Sequence, residues 1–129
     1  MIGLDTNILI RYLTQDDPAQ SAKAARVIDG ASAGGLFIAA VVICEIEWVL
    51  EDVYRVKRAD IVAIIERMLQ TGQFTFEDKD LLWRALTEYR GGKGDLSDYI
   101  IGQVSHRAGC VNTLTFDTGL KGSALFRLL

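Results

Sequence analysis

The chain opens with MIGLDTNILI, residues 1–10, in which an acidic residue separates two apolar segments. Residues 1–4 predict a short strand, which Asp5 ends. Residues 7–13 predict a short helix directly after it. Asp5 would therefore lie at the carboxyl end of a strand, and parallel sheets bind their ligands beyond that end.

The remainder of the chain continues this alternation of strands and helices. Strands are predicted at residues 36–40, 74–76, 111–116 and 125–128. Helices are predicted at residues 17–31, 42–54, 61–69, 78–89 and 96–108. In the first of these helices, Ala22, Ala25, Val27 and Ile28 are expected among the packing residues. This order indicates an α/β fold with a mostly parallel central sheet, covered by helices on both faces.

The length of 129 residues predicts a single domain over residues 1–129. The longest apolar run, residues 36–44, is too short to span a bilayer, and the first residues do not resemble a signal peptide. The two cysteines, Cys44 and Cys110, are not in a CxxC motif, so both are interpreted as reduced packing residues. We therefore expect a cytoplasmic protein without a membrane partner.

Four acidic residues occur in apolar or structured contexts, and they are Asp5, Glu45, Asp98 and Asp117. The predicted elements place all four near the same edge of the sheet, where their charges would repel one another unless a cation lay between them. Carboxylate oxygens without a His or Cys cluster suit Mg²⁺ or Mn²⁺ rather than zinc. The net charge of −3 argues weakly against bulk binding of nucleic acid, although bound divalent ions would reverse it locally.

Helix capping is an alternative role for three of these carboxylates. Asp5 could cap the helix that follows it, and Asp117 could cap a turn. Asp95 and Asp98 have the spacing of a capping box. Glu45 is harder to explain in this way, because it follows the longest apolar run and begins a helix. On the same helix, Glu47 and Asp52 are expected to face solvent.

Four segments together resemble the PIN-domain ribonucleases, and specifically the VapC-type toxins of toxin–antitoxin pairs. They are LDTNILI, VVICEIEWVL, DLSDYIIG and LTFD, and their order and spacing match that family over nearly the whole chain. The resemblance implies a PIN-like three-layer α/β/α fold. It also implies a Mg²⁺- or Mn²⁺-dependent endoribonuclease of a type II system, which hydrolyses RNA through a metal-activated water.

The resemblance also implies roles for individual residues. The catalytic metal site would consist of Asp5, Glu45, Asp98 and Asp117, with Asp5 and Asp98 as direct ligands. Asp117 would act directly or through water, and Glu45 would bind the metal or orient its water. Secondary candidates are Asp95, which matches a less regular acidic position, and the polar residues Thr6, Asn7 and Thr115.

The implied partners are an RNA substrate, a cognate antitoxin and a second copy of the chain in a homodimer. Arg11, Lys93 and Lys121 are candidates for RNA contacts, and ordinary solvated surface charge is the alternative for each. Trp48, Tyr54 and Trp83 could contribute apolar contacts with a protein partner. Core packing is the alternative role for the two tryptophans.

Three other interpretations compete with this one. A haloacid-dehalogenase-like phosphatase requires a second Asp two residues after the first, and this chain has Asn7 there. A flap-type DNA nuclease would need DNA-gripping elements that a chain of this length has little room for. A non-catalytic PIN-like module that binds RNA or protein stays open, with its carboxylates acting only as caps.

Overall fold

The computed structural model describes all residues 1–129 and divides them into two compact units, residues 1–79 and residues 80–129. The single domain expected over the whole chain stays a prediction. No helix combines the length and the apolar character needed to cross a bilayer.

A parallel three-stranded sheet forms the centre of the first unit. Its strands are β1 (Ile2–Gly3), β2 (Leu36–Ile38) and β3 (Phe74–Phe76), in the order β1-β2-β3. Its helices are α1 (Thr6–Thr14), α2 (Pro18–Asp29), α3 (Ala40–Asp52) and α4 (Arg58–Leu69). Leu36 pairs with Ile2 on one side and with Phe74 on the other. The predicted α/β class, with a parallel sheet flanked by helices, is confirmed.

The second unit contains a separate pair of parallel strands. Its elements are α5 (Lys79–Gly91), α6 (Leu96–Arg107), β4 (Thr113–Thr115), a 3-10 helix (Thr118–Leu120) and β5 (Phe126–Leu128). β4 pairs with β5 in the register Thr113 to Phe126 and Thr115 to Leu128. The strands thus form two sheets where a single central sheet was expected, because the ladder hydrogen bonds of β4 are made with β5.

The start of α2 confirms its predicted cap. Asp17 is the N-cap, its Oδ1 accepts a hydrogen bond from the Gln20 backbone N–H at 3.1 Å, and Pro18 occupies the first turn. This arrangement satisfies one of the unpaired N–H groups of the helix and places proline where its missing N–H costs nothing.

The packing face of α2 agrees with the prediction at Ile28 and differs from it at other positions. Ala22 and Val27 are exposed, and the buried positions are Ser21, Ala24 and Ile28. A polar residue occupies this inner face because the Ser21 hydroxyl donates to the Arg11 carbonyl oxygen at 2.8 Å. A prediction that counts only apolar residues therefore places the buried face of α2 about one residue away from its position in the structure.

A glycine-rich turn connects α5 to α6, and both Gly92 and Gly94 in it are closely packed. A Cβ at Gly92 would lie 2.9 Å from the Glu88 carbonyl oxygen and would overlap the Tyr99 hydroxyl. A Cβ at the neighbouring Gly91 would meet no atom within 4 Å. There is therefore no room for a side chain at position 92, whereas position 91 has room for one.

We expect Gly92→Ala to lower the free energy of unfolding by about 1–3 kcal/mol, because the new methyl must displace Tyr99 or the backbone. Gly91→Ala is the matched control, and we expect it to be neutral or to stabilise by about 0.4–1 kcal/mol. Urea denaturation followed by circular dichroism measures both. Equal stabilities for the two variants would contradict the close packing at Gly92.

Candidate functional site

Two predicted carboxylates of the first unit are linked through one residue. Asp5 is the N-cap of α1, and its Oδ1 accepts a hydrogen bond from the Thr6 backbone N–H at 2.7 Å. The buried Thr6 hydroxyl donates to Oε1 of Glu45 on α3 at 3.1 Å. Thr6 thus contacts both acidic side chains, and its secondary role beside a metal stays a prediction.

The sheet explains why these residues meet. The Leu4 N–H donates to the Phe37 carbonyl oxygen at 2.9 Å, so β1 and β2 end side by side. Asp5 follows β1, and α3 begins shortly after β2. Since both strands are parallel, their carboxyl ends share one edge, which is where a parallel sheet offers its ligand site.

On helix α3, one of the two acidic residues that were expected to face solvent is buried instead. Asp52 is exposed as expected, but Glu47 is buried, with only 2% of its surface exposed. The reason is helical spacing, because the buried positions of α3 include Ile43, Ile46, Glu47 and Leu50. The expectation that Glu47 faces solvent was therefore wrong. The helical spacing of its apolar neighbours is the sequence signal that indicates its burial.

Glu47 also contributes to the electrostatics of α3. Burial is the main cause that raises the pKa of the Cys44 thiol, and the nearby Glu47 and Glu45 carboxylates raise it further. Cys44 is half-buried and reduced, as predicted, whereas Cys110 is exposed and does not pack as predicted. The elevated pKa keeps Cys44 a neutral thiol, and it is therefore a weak nucleophile.

Three acidic residues of the second unit lie close together. Asp95 and Asp98 form the predicted capping box at the start of α6, in which Oδ2 of Asp98 accepts from the Asp95 backbone N–H at 2.9 Å. Asp117 caps the 3-10 helix through a bond from the Gly119 N–H to Oδ1 at 2.8 Å. The Thr115 hydroxyl oxygen accepts from the Asp117 N–H at 3.0 Å. Thr115 therefore fixes the backbone next to Asp117.

Partial burial and repulsion within this group both affect Asp98. Its partial burial is the largest cause that raises the pKa of the carboxyl, and the charges of Asp95 and Asp117 raise it further. The hydrogen bond from the Asp95 N–H opposes this rise. Asp98 is thus a carboxylate whose negative charge is disfavoured in its surroundings, and a nearby cation would relieve that cost.

The donor set fits a hard divalent cation. The caps at Asp5, Asp98 and Asp117 each use one carboxylate oxygen, so the second oxygen of each can bind a metal. None of the four main carboxylates forms a salt bridge with Lys or Arg. The structure thus brings Asp5 together with Glu45, and Asp98 with Asp95 and Asp117. The convergence of these two groups stays a prediction.

The remaining candidates have varied surroundings. Asn7 is exposed in the first turn of α1. Arg11 forms a salt bridge with Asp16 at 3.0 Å, and the exposed Lys93 and Lys121 lie in turns. Trp48 is 59% exposed, so core packing was the wrong alternative for this residue.

Comparison with known families identifies the fold. The family model of the PIN domain matches residues 2–124. The chain therefore belongs to the PIN domain family, as the four sequence segments indicated, and PIN domains are typically metal-dependent nucleases.

Two further comparisons add little to this assignment. No curated protein matches the sequence. Among solved structures, the chain is similar to one in "Structure of FitAB bound to IR36 DNA fragment", with 18% sequence identity and a TM-score of 0.39. The match covers 100% of this chain and 94% of the other. This likeness is too distant to transfer a substrate or a partner.

The raised pKa of Asp98 predicts a pH dependence in metal-free buffer. Because the folded-state pKa exceeds the unfolded one, the folded state binds more protons between the two values, and stability falls as the pH rises through that window. Asp98→Asn cannot titrate but can still accept the capping hydrogen bond. We therefore expect its stability relative to wild type to increase from acidic to neutral pH, measured by urea denaturation with EDTA present. A difference that does not vary with pH would contradict this origin.

Proposed function

We propose that the protein is a Mg²⁺- or Mn²⁺-dependent endoribonuclease and acts as the toxin of a type II toxin–antitoxin pair. Membership of the PIN family supports nuclease activity. The observation that carries the proposal is the arrangement of Asp5 and Glu45 at the carboxyl edge of a parallel sheet. Thr6 contacts both, donating its backbone N–H to Asp5 and its buried hydroxyl to Glu45. The choice of RNA as substrate rests on the resemblance of the four sequence segments to VapC-type toxins.

Each acidic residue has a distinct proposed role. Asp5 and Asp98 bind the ion directly, and Asp117 binds it directly or through water. Thr6 donates to Glu45 and so fixes the direction of its carboxylate, which binds the ion or orients a water. When bound, Mg²⁺ or Mn²⁺ would lower the pKa of a coordinated water and neutralise charge on the scissile phosphate.

The proposed partners follow from the toxin assignment. They are the RNA substrate, a cognate antitoxin and a second copy of the chain. A basic side chain of the antitoxin could compete with the metal for the carboxylates, since these lack a Lys or Arg partner within the chain. Removing basic residues one at a time from a co-purified antitoxin tests this. Inhibition that every such variant retains would count against this mode of inhibition.

The first test compares wild type with Asp5→Asn during induced expression in a bacterial host. We expect wild type to arrest growth and to create discrete new RNA 5′ ends, mapped by sequencing. Loss of groups around a metal ligand costs 10–100-fold, so removing a direct ligand should slow cleavage by more than about 100-fold. Asp52→Asn is the matched control, because Asp52 is an exposed carboxylate on the same helix as Glu45.

The outcomes separate the parts of the proposal. Arrest and cleavage that Asp5→Asn retains would overturn the assigned site. If folded wild type cleaves no RNA, either in the host or when purified with Mn²⁺, the assignment as a ribonuclease is overturned. Cleavage of purified RNA without growth arrest would leave the nuclease assignment in place and remove the support for a toxin.

A non-catalytic PIN-like module is the second candidate, and the helix caps favour it. Asp5, Asp98 and Asp117 all accept hydrogen bonds from backbone N–H groups, and these bonds explain their presence without a metal. Caps alone would not cooperate to bind Mn²⁺. Metal affinity therefore distinguishes the two candidates.

Thr6→Val keeps the shape of the side chain and removes the donor to Glu45. We expect its affinity for Mn²⁺ to fall by about 10–100-fold, measured by isothermal titration calorimetry, because Glu45 loses its fixed orientation. Thr6→Ser retains the hydroxyl and should bind Mn²⁺ much more tightly than Thr6→Val. If wild type itself does not bind Mn²⁺, the non-catalytic candidate is favoured.

A further inference from the structure

A groove of about 430 Å³ lies between α1 and α2 of the first unit. Its lining includes two cations, two amides and two exposed apolar side chains, together with the buried Ala24. The cations, amides and exposed apolar side chains are Arg11, Lys23, Asn7, Gln20, Ile8 and Val27. They share one side of each helix, because residues three or four positions apart are neighbours on a helix surface.

The two charged side chains that line this groove are cationic, and an acidic residue pairs with one of them. Arg11 and Lys23 line it, and no acidic side chain does. Arg11 is also held in place, because Nε donates to the Gln20 side-chain oxygen at 2.7 Å and a guanidinium nitrogen forms the salt bridge with Asp16 at 3.0 Å. Lys23 forms no ion pair, so in a chain with net charge −3 it supplies local positive charge that is suited to an anionic ligand.

Two apolar side chains that line the groove are open to solvent. Val27 is 48% exposed and Ile8 is 38% exposed. Flat apolar groups, such as the faces of unpaired nucleobases, can cover such side chains while phosphates meet the flanking cations. Alternation of cationic and apolar contacts along a groove is how proteins bind single strands without reading their sequence.

The groove begins next to the candidate site. Asn7 and Ile8 belong to the first turn of α1, which Asp5 caps. The Ile8 N–H donates to the Asp5 backbone oxygen at 3.2 Å. A strand whose scissile phosphate lies at Asp5 would therefore reach the groove within a short distance.

We infer that this groove binds the single-stranded RNA next to the scissile phosphate, with Lys23 contacting a phosphate and with Ile8 and Val27 contacting a base. The inference rests on the proposed ribonuclease function and adds a substrate-binding surface to it. Lys23 is the most direct test residue, because it is exposed and its charge can be removed without disturbing a salt bridge.

The experiment measures binding of a fluorescently labelled single-stranded RNA by polarisation, at several salt concentrations and with EDTA to prevent cleavage. Each phosphate contact contributes about 0.7 to the slope of log affinity against log salt. We expect Lys23→Ala to reduce that slope by about 0.7 and to weaken binding by about fivefold at 0.1 M salt. Lys57→Ala is the matched control, because Lys57 is an exposed lysine of the same unit outside the groove.

The kinetic arm uses purified protein with Mn²⁺ and the same RNA. Lys23→Ala should raise KM with little change in kcat, because Lys23 binds substrate and does not touch the reacting atoms. Lys57→Ala should change neither constant.

Every outcome bears on the inference. If Lys23→Ala and Lys57→Ala lose the same affinity, the effect is general electrostatics and the groove is not the binding surface. If wild type cleaves RNA in an Asp5-dependent manner while Lys23→Ala keeps its KM, the groove is overturned and the function stands. If wild type neither binds nor cleaves RNA, the proposed function itself fails. If Lys23→Ala binds RNA normally but loses a co-expressed protein partner, the groove belongs to that partner and the RNA inference is overturned.

Discussion

The hydrogen bond from the Thr6 hydroxyl to Glu45 determines how the first unit presents its acidic groups. Thr6 is buried, so its hydroxyl must find a partner within the protein or lose stability. Glu45 is that partner, and the Thr6 backbone N–H donates to Asp5 at the same time. The hydroxyl bond connects α1 to α3 and orients the carboxylate of Glu45. The backbone bond of the same residue caps α1 and orients Asp5, so Thr6 serves both acidic side chains at the end of one pair of strands.

Local chemistry explains why much of this arrangement was predictable. The strand and helix order, the Asp17 and Pro18 start of α2, and the Asp95 and Asp98 capping box all follow from interactions within a few residues. Such signals are independent of how the rest of the chain packs. Three of the predicted acidic residues occupy caps for this reason, and sequence alone located them.

The predictions were wrong where contacts between residues far apart in the sequence determine which side chains are buried and which strands pair. Glu47 is buried and Trp48 exposed because α3 turns the side of Ile43, Ile46 and Leu50 inward, and residue type alone predicts the opposite. Ser21 occupies the inner face of α2 in place of an apolar residue because its hydroxyl donates a hydrogen bond to the Arg11 carbonyl oxygen. The pairing of β4 with β5 in a sheet of their own is likewise a long-range choice. Helical periodicity could have corrected the prediction for α3. The burial of Ser21 has no such local signal, because its partner lies on another helix.

The capping and metal-binding roles of the carboxylates are compatible, and their combination has a physical consequence. A carboxylate that accepts a backbone N–H is restricted in rotation, so its second oxygen points in a limited range of directions. Asp5 and Asp117 each use Oδ1 in this way, and Asp98 uses Oδ2. These side chains therefore lose conformational entropy when the chain folds, and they lose little more when an ion binds. Partial burial of Asp98 and repulsion from its acidic neighbours already disfavour its charge in the folded chain, and both raise the pKa of its carboxyl. A divalent ion would relieve this repulsion without reorganising the caps, so the same hydrogen bonds that stabilise helix ends would also prepare the proposed metal site.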